Sequence, residues 1–119
     1  MTKAPGRLAA DAGMERLCSV WVEDLAAVRD AALLDVREAE EFLEASIPGS
    51  LNLPLSQLAG RLGEVPSGRP VYVLCGSGGR SMKAVKLLAE RGYEAVNVMG
   101  GITEWYRAGY PVTFRPAAE

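Results

Sequence analysis

Residues 71–91 read VYVLCGSGGRSMKAVKLLAER, and they decide the fold. Val71-Tyr72-Val73-Leu74 is a short apolar run, β-branched and aromatic, bounded by loop residues. That pattern predicts a buried strand. Apolar residues then recur at Met82, Val85, Leu88 and Ala89, with Lys83, Lys86 and Glu90 between them, which is helical spacing with one apolar face. Between strand and helix lie Cys75, the glycine-rich Gly76-Ser77-Gly78-Gly79, Arg80 and Ser81. The unit is strand, tight loop, helix, with a cysteine where the strand ends.

This arrangement predicts chemistry at Cys75. Glycine lets a backbone curl tightly because it reaches positive φ without steric cost. A curled loop entering a helix aims several N–H groups at one spot, and the helix start adds about half a positive charge. Arg80 adds a permanent one. A free thiol ionises near pH 8.5, roughly, and such surroundings lower that value. Cys75 is therefore the candidate nucleophile. The bland alternative is a small buried hydrophobe. Cysteine, glycine loop, arginine and amphipathic helix together favour the functional reading.

The chain has 119 residues with 49% apolar content, enough for one self-supporting domain. Net charge is −2, so a nucleic-acid or membrane-surface partner is not expected. No apolar run reaches membrane-spanning length, and no signal-peptide core follows Lys3. Cys18 and Cys75 make no disulfide framework, and Cys18 is expected to pack. A working thiol suits a reduced, cytoplasmic setting. There is no histidine, which removes Ser-His-Asp and Cys-His catalysis and leaves zinc or any other metal without a plausible ligand set.

Further elements follow in order. Residues 1–14 are expected to be a mobile tail, residues 15–113 the domain and residues 114–119 a short tail. A strand near Arg16 to Ser19 and a helix over Val22 to Arg29 open the domain. Ala31 to Val36 is a second buried strand, ending at Asp35, with Arg37 just beyond it and a short acidic helix over Glu38 to Leu43. Ile47-Pro48-Gly49-Ser50 is a turn, Leu51 to Leu53 a brief strand, and Leu55, Leu58, Ala59 and Leu62 have helical spacing. Gly92 ends the central helix. Ala95 to Met99 is a strand, Gly100-Gly101 a turn and Ile102 to Ala108 a helix. Strands alternating with helices predict an α/β fold of three layers, α/β/α, around a mostly parallel sheet of about five short strands. Ligands in such folds sit at the carboxyl ends of strands. Cys75, Asp35 and the Gly100-Gly101 turn all lie there.

Two nucleotide motifs fail. A phosphate loop needs glycine where Leu74 stands and lysine where Arg80 stands; a dinucleotide fingerprint starting at Gly76 ends on Ser81 and follows a late strand. A cysteine phosphatase has a similar anion cradle, with one more residue between thiolate and arginine. Here four residues separate Cys75 from Arg80, a ring better sized for one sulfur atom than for a tetrahedral phosphate.

Taken together, these motifs resemble the rhodanese-like domain family over about Leu17 to Val112. Cys75-Gly76-Ser77-Gly78-Gly79-Arg80-Ser81 is similar to its C-x-x-G-x-R-S loop. Leu33-Leu34-Asp35-Val36-Arg37 with Glu41-Phe42 resembles D-V-R-x-x-x-E-[YF]. Residues 47–54, IPGSLNLP, resemble I-P-G-A-x-N-I-P, and residues 97–112 resemble the closing G-G-x-x-x-W-x-x-x-G-x-P-V. The resemblance implies transfer of a sulfane sulfur, from thiosulfate or a persulfide to cyanide or a thiol, through a Cys75 persulfide and without a cofactor. Gly76, Ser77, Gly78, Gly79 and Arg80 then supply cradle N–H groups, unless Arg80 turns away to brace the loop through a carboxylate. Ser81 caps the helix or bonds to the sulfur. Asp35 and Arg37 resemble a supporting framework pair, with Arg37 reaching toward Glu41, and Trp105 packs beside the site. Ala45-Ser46 stand where the family commonly has Gly-His. The loop's own side chains at Gly76, Ser77 and Gly79 are uncharged, so weak thiosulfate affinity is expected, with a protein or low-molecular-weight persulfide favoured as the cellular donor. The alternatives are a non-catalytic binding module and, behind it, phosphatase or arsenate chemistry.

Overall fold

The computed structural model of the chain describes residues 18–77 and 79–116. The expected N-terminal tail, the strand start at Arg16, Gly78 and residues 117–119 lie outside the described residues. Five strands form the main sheet: β1 (Cys18–Val20), β2 (Ala32–Asp35), β4 (Leu51–Asn52), β5 (Val71–Leu74) and β6 (Ala95–Val98). Their order across the sheet is β1-β6-β5-β2-β4 and every pairing is parallel. β5 is central, as its composition requires: Val71, Val73 and Leu74 are fully buried.

The period-two alternation of the strands sorts side chains onto two faces. One face carries Val71, Val73 and Cys75 of the β5 run and Leu34 and Val36 of the β2 run. It packs under α4 (Gly79–Glu90) through Ala84, Val85 and Leu88. The other carries Leu74, Val96 and Val98, against Leu25 of α1 (Val22–Ala26) and Ile102 and Trp105 of α5 (Gly101–Arg107). The sheet is thus sandwiched, which is the three-layer α/β/α architecture expected. From β2 the chain moves outward to β4, returns through α3 (Leu55–Leu58) to β5 beside β2, and then moves the other way to β6. The reversal falls between β2 and β5, where Asp35 is in register with Leu74. A crevice opens at such a switch point.

The structure departs from the sequence expectations in several places. The helix expected over Val22 to Arg29 stops at Ala26. The helical spacing from Leu55 to Leu62 splits into α3 and a tighter 3₁₀ stretch, Ala59–Glu64, with Arg61 non-helical inside it. Gly60 and Gly63 are poor helix formers and explain the break. In α4 the buried positions are Ser81, Ala84, Val85 and Leu88, not Met82 and Ala89. A second, two-stranded antiparallel sheet pairs β3 (Ala45–Ser46) with β7 (Thr113–Phe114). Phe114, expected in the tail, is therefore a strand residue. No helix among the described residues is long and apolar enough to cross a membrane.

Candidate active site

Cys75 follows β5 directly, is 1% exposed, and is one of the residues lining a cavity of about 490 Å³. Gly76, Ser77, Gly79, Arg80, Lys83 and Thr103 line that cavity with it. The main chain after Cys75 is held by α5. The Ile102 N–H donates to the Cys75 carbonyl (2.9 Å) and the Thr103 N–H to the Gly76 carbonyl (3.1 Å). Two otherwise orphaned donors at a helix start are satisfied this way. A trans peptide sets each N–H opposite the preceding carbonyl, so the Gly76 and Ser77 N–H groups turn away from α5.

This approach is close enough to demand glycine. A Cβ on Gly101, whose φ is +56°, would collide with the Cys75 carbonyl oxygen and lie 2.7 Å from that of Gly76. Gly100, at φ +85°, turns the chain into α5 in the left-handed conformation. The Gly100-Gly101 turn abuts the end of β5 and the end of β2 lies beside it, but Asp35 does not line the cavity.

The sulfur itself faces the first turn of α4. The Ser81 N–H donates to Cys75 Sγ (3.3 Å), and Sγ lies 3.5 Å from Ser81 Oγ. Ser81 is two residues inside α4, so its hydroxyl meets the sulfur and is not the helix cap. That hydroxyl also donates to Asn97 Oδ1 in β6, a residue to which the sequence reading assigned no role. Its one sequence signal was an amide inside the apolar run Ala95-Val96-Asn97-Val98.

Arg80 does not reach into the cavity with a free charge. Its guanidinium grips the Glu41 carboxylate of α2 (Ala39–Glu44) with two bonds, 2.7 and 3.1 Å. That hydrogen bonding holds Glu41 down at about 2, against an ordinary 4.5, and raises Arg80 in turn. Arg80 is the brace that ties the loop to α2. Arg37, expected near Glu41, instead takes the Glu41 backbone carbonyl (3.3 Å), and its charge is spent on Asp35. Asp35 and Arg37 are 0% and 5% exposed and joined at 2.8 Å through Arg37 Nη2, with Arg37 Nε at 3.0 Å from the other carboxylate oxygen. Arg37 also holds the Ala45 carbonyl (2.7 Å), while Asn52 Nδ2 binds the carbonyls of both Asp35 and Arg37. The pair is a joint linking β2, β3 and β4. Trp105 is 7% exposed, stacks on Tyr110 and donates to the Pro111 carbonyl, so it is core on the far face.

Lys83 was passed over in the sequence, read only as the polar side of a helix. It lies one turn past Arg80, is exposed at the cavity rim and has no ion pair among the described residues. Helical spacing from Arg80 was the signal that could have found it.

A parallel five-stranded sheet carrying a cysteine loop at its switch point defines a class, and comparison identifies it. The model of the rhodanese-like domain matches residues 20–108, and the chain belongs to that family. It is 39% identical over 89 residues to a sulfurtransferase of Allochromatium vinosum, covering 74% of this chain and 83% of that one. Among solved structures, a rhodanese-related protein from Thermoplasma volcanium superposes with a TM-score of 0.76 and 36% identity, over 80% of this chain and 96% of that one. The adenylyltransferase and sulfurtransferase uba4 of Ogataea parapolymorpha is 42% identical over 90 residues, 74% of this chain, but the match spans only 23% of that longer protein. These relatives support sulfur transfer as the general activity.

Proposed function

We propose that the protein moves a sulfane sulfur from thiosulfate or a persulfide to a thiophilic acceptor through a persulfide on Cys75. The observation that carries this reading is the setting of Cys75: the residue lines a cavity, and its Sγ accepts from the Ser81 N–H in the first turn of a twelve-residue helix. A donor amide and the helix field both favour an anion on that atom. In the first displacement the Cys75 thiolate attacks the outer sulfur of the donor. A new S–S bond forms, the bond within the donor breaks, and its electron pair leaves with sulfite or thiolate. In the second, the acceptor attacks the terminal sulfur and releases the Cys75 thiolate. Covalent catalysis of this kind divides one transfer into two easier ones.

The loop N–H groups from Gly76 through Gly79 to Arg80 stabilise the developing anion, as an oxyanion hole does. Ser81 holds the attacking Cys75 sulfur by N–H and hydroxyl. Asp35 and Arg37 support the loop through the framework and touch no reacting atom. Lys83 supplies the cation that the loop's own side chains lack, so the donor is an anionic sulfane compound. Persulfides and thiosulfate both qualify, and one exposed lysine leaves the expectation of weak thiosulfate affinity in place. Steady-state assay of thiocyanate from thiosulfate and cyanide tests the scheme. Parallel lines in double-reciprocal plots and loss of activity in Cys75→Ala are expected. Full activity in Cys75→Ala would refute it, and absence of turnover with every sulfane donor would favour the binding module.

A further inference from the structure

Asn97 is 3% exposed in the middle of β6, in register with Ser19 of β1 on one side and Val73 of β5 on the other. A carboxamide in that place costs stability unless it is bonded. One of its bonds runs toward the reactive sulfur and the other away from it, to β1. Ser81 Oγ lies 2.5 Å from Asn97 Oδ1, Asn97 Nδ2 lies 3.5 Å from Ser19 Oγ, and Ser81 Oγ is the atom 3.5 Å from Cys75 Sγ. Four side chains from three strand runs and a helix form a line: Ser19, Asn97, Ser81, Cys75.

The line has a direction of donation. With the Ser81 proton given to Asn97, its oxygen turns a lone pair to Cys75. That suits a neutral thiol, whose S–H can donate, and it opposes a sulfur anion, which needs a donor. A carboxamide carries an acceptor on one side and a donor on the other. Turned over about Cβ–Cγ, it would give an N–H to Ser81 Oγ, free the Ser81 proton for the sulfur, and accept from the Ser19 hydroxyl. Each group in the line keeps a partner in both arrangements, and no backbone moves.

We propose that Asn97 is a positioning residue whose carboxamide turns over to let the Ser81 hydroxyl accept from the neutral Cys75 thiol and donate to the Cys75 sulfur anion. No proton passes along the line; the thiol proton leaves to solvent, and the hydroxyl only rotates. The inference rests on Cys75 being the reactive thiol. The charged groups near the sulfur are Arg80 and Lys83 on α4, Glu41 on α2 with Glu38 just before it, and the Asp35–Arg37 pair at the end of β2; β1 and β6 carry none, and α5 offers Thr103 to the cavity.

The test is the pH dependence of Cys75 alkylation by iodoacetamide, read by mass on the Cys75 peptide so that Cys18 is not counted. Asn97→Asp presents an acceptor-only carboxylate and blocks the second arrangement. It is expected to raise the apparent thiol pKa by about one unit, about tenfold slower alkylation at neutral pH. In a Ser81→Ala background the same substitution is expected to slow alkylation by less than about threefold, the coupling a double-mutant cycle isolates. An equal effect in both backgrounds is plain charge repulsion and overturns the proposal, as does no effect in either. Should Asn97→Asp not fold, nuclear magnetic resonance of the wild-type protein decides. The Asn97 side-chain NH₂ signals should move with the midpoint of Cys75 and lose most of that movement in Ser81→Ala; signals that stay still through the titration overturn it. A protein showing this coupling but no sulfur uptake would lose the proposed function and keep this inference.

Discussion

Lys83 and Arg80 are both cations beside the same cavity, and their partners give them different work. Arg80 is neutralised by Glu41 in a bidentate pair, so it shapes the loop. Lys83 is unpaired among the described residues and can meet an incoming anion. Lys83→Ala is expected to raise KM for thiosulfate roughly two- to fivefold with kcat little changed, the size of one exposed charge contact. Steady-state kinetics at low ionic strength check this, and the difference should shrink as salt screens it. Asp35 and Arg37 behave differently because they are sealed from water. Asp35→Ala strips a buried guanidinium of its counter-charge, which typically costs about 3–5 kcal/mol. Urea unfolding should show a large drop in midpoint, with circular dichroism checking whether a folded population remains.

At the scale of elements, the site is a joint between the end of β5 and the start of α5. The Cys75 and Gly76 carbonyls cap α5, and Gly101 allows the approach. Gly101→Ala must adopt a left-handed φ and push two carbonyls aside. A stability loss of about 1–3 kcal/mol is expected from the backbone conformation alone. Sulfur transfer should fall further than stability does, because the displaced carbonyls belong to the loop around Cys75. Gly63→Ala, with open space around its Cβ and no left-handed φ, is the control: it should not lower stability and should leave sulfur transfer unchanged. The strand-loop-helix unit was legible in the sequence because its signals are local: an apolar run, a glycine cluster, a 3.6-residue period. Ser81 was left between helix cap and sulfur partner because a hydroxyl can serve as either, and its bonds to Sγ and Asn97 select the second and offset its burial. β7 was invisible, since two residues flanked by Pro111 and Pro116 form a strand only against Ala45–Ser46, far away in the chain.

On the scale of the whole molecule, long-range pairs decide what the sequence left open. Arg80 could have faced the substrate or braced the loop, and its orientation is set by a carboxylate 39 residues away. That pair also links the site to pH. Glu41 is held at about 2 in the folded protein against an ordinary 4.5, chiefly by the Arg80 hydrogen bonds. A depressed carboxylate stabilises the fold above its unfolded value, and the contribution is lost as pH falls from about 4.5 through about 2. Arg80 and Glu41 are each roughly two-fifths exposed, so solvent screening leaves about 1 kcal/mol or less. Thermal unfolding of Glu41→Gln should sit slightly below wild type at neutral pH and converge with it near pH 2, about where Glu41 protonates. A gap that persists unchanged at that pH would separate Glu41 from the effect.

Intact-mass measurement after incubation with thiosulfate, without acceptor, is the most direct test of a Cys75 sulfur carrier. The account predicts uptake of one sulfur atom per chain, retained in Cys18→Ala, lost in Cys75→Ala and reversed by cyanide. Uptake that survives Cys75→Ala, or folded wild-type protein that gains no sulfur from thiosulfate or any persulfide, would contradict it.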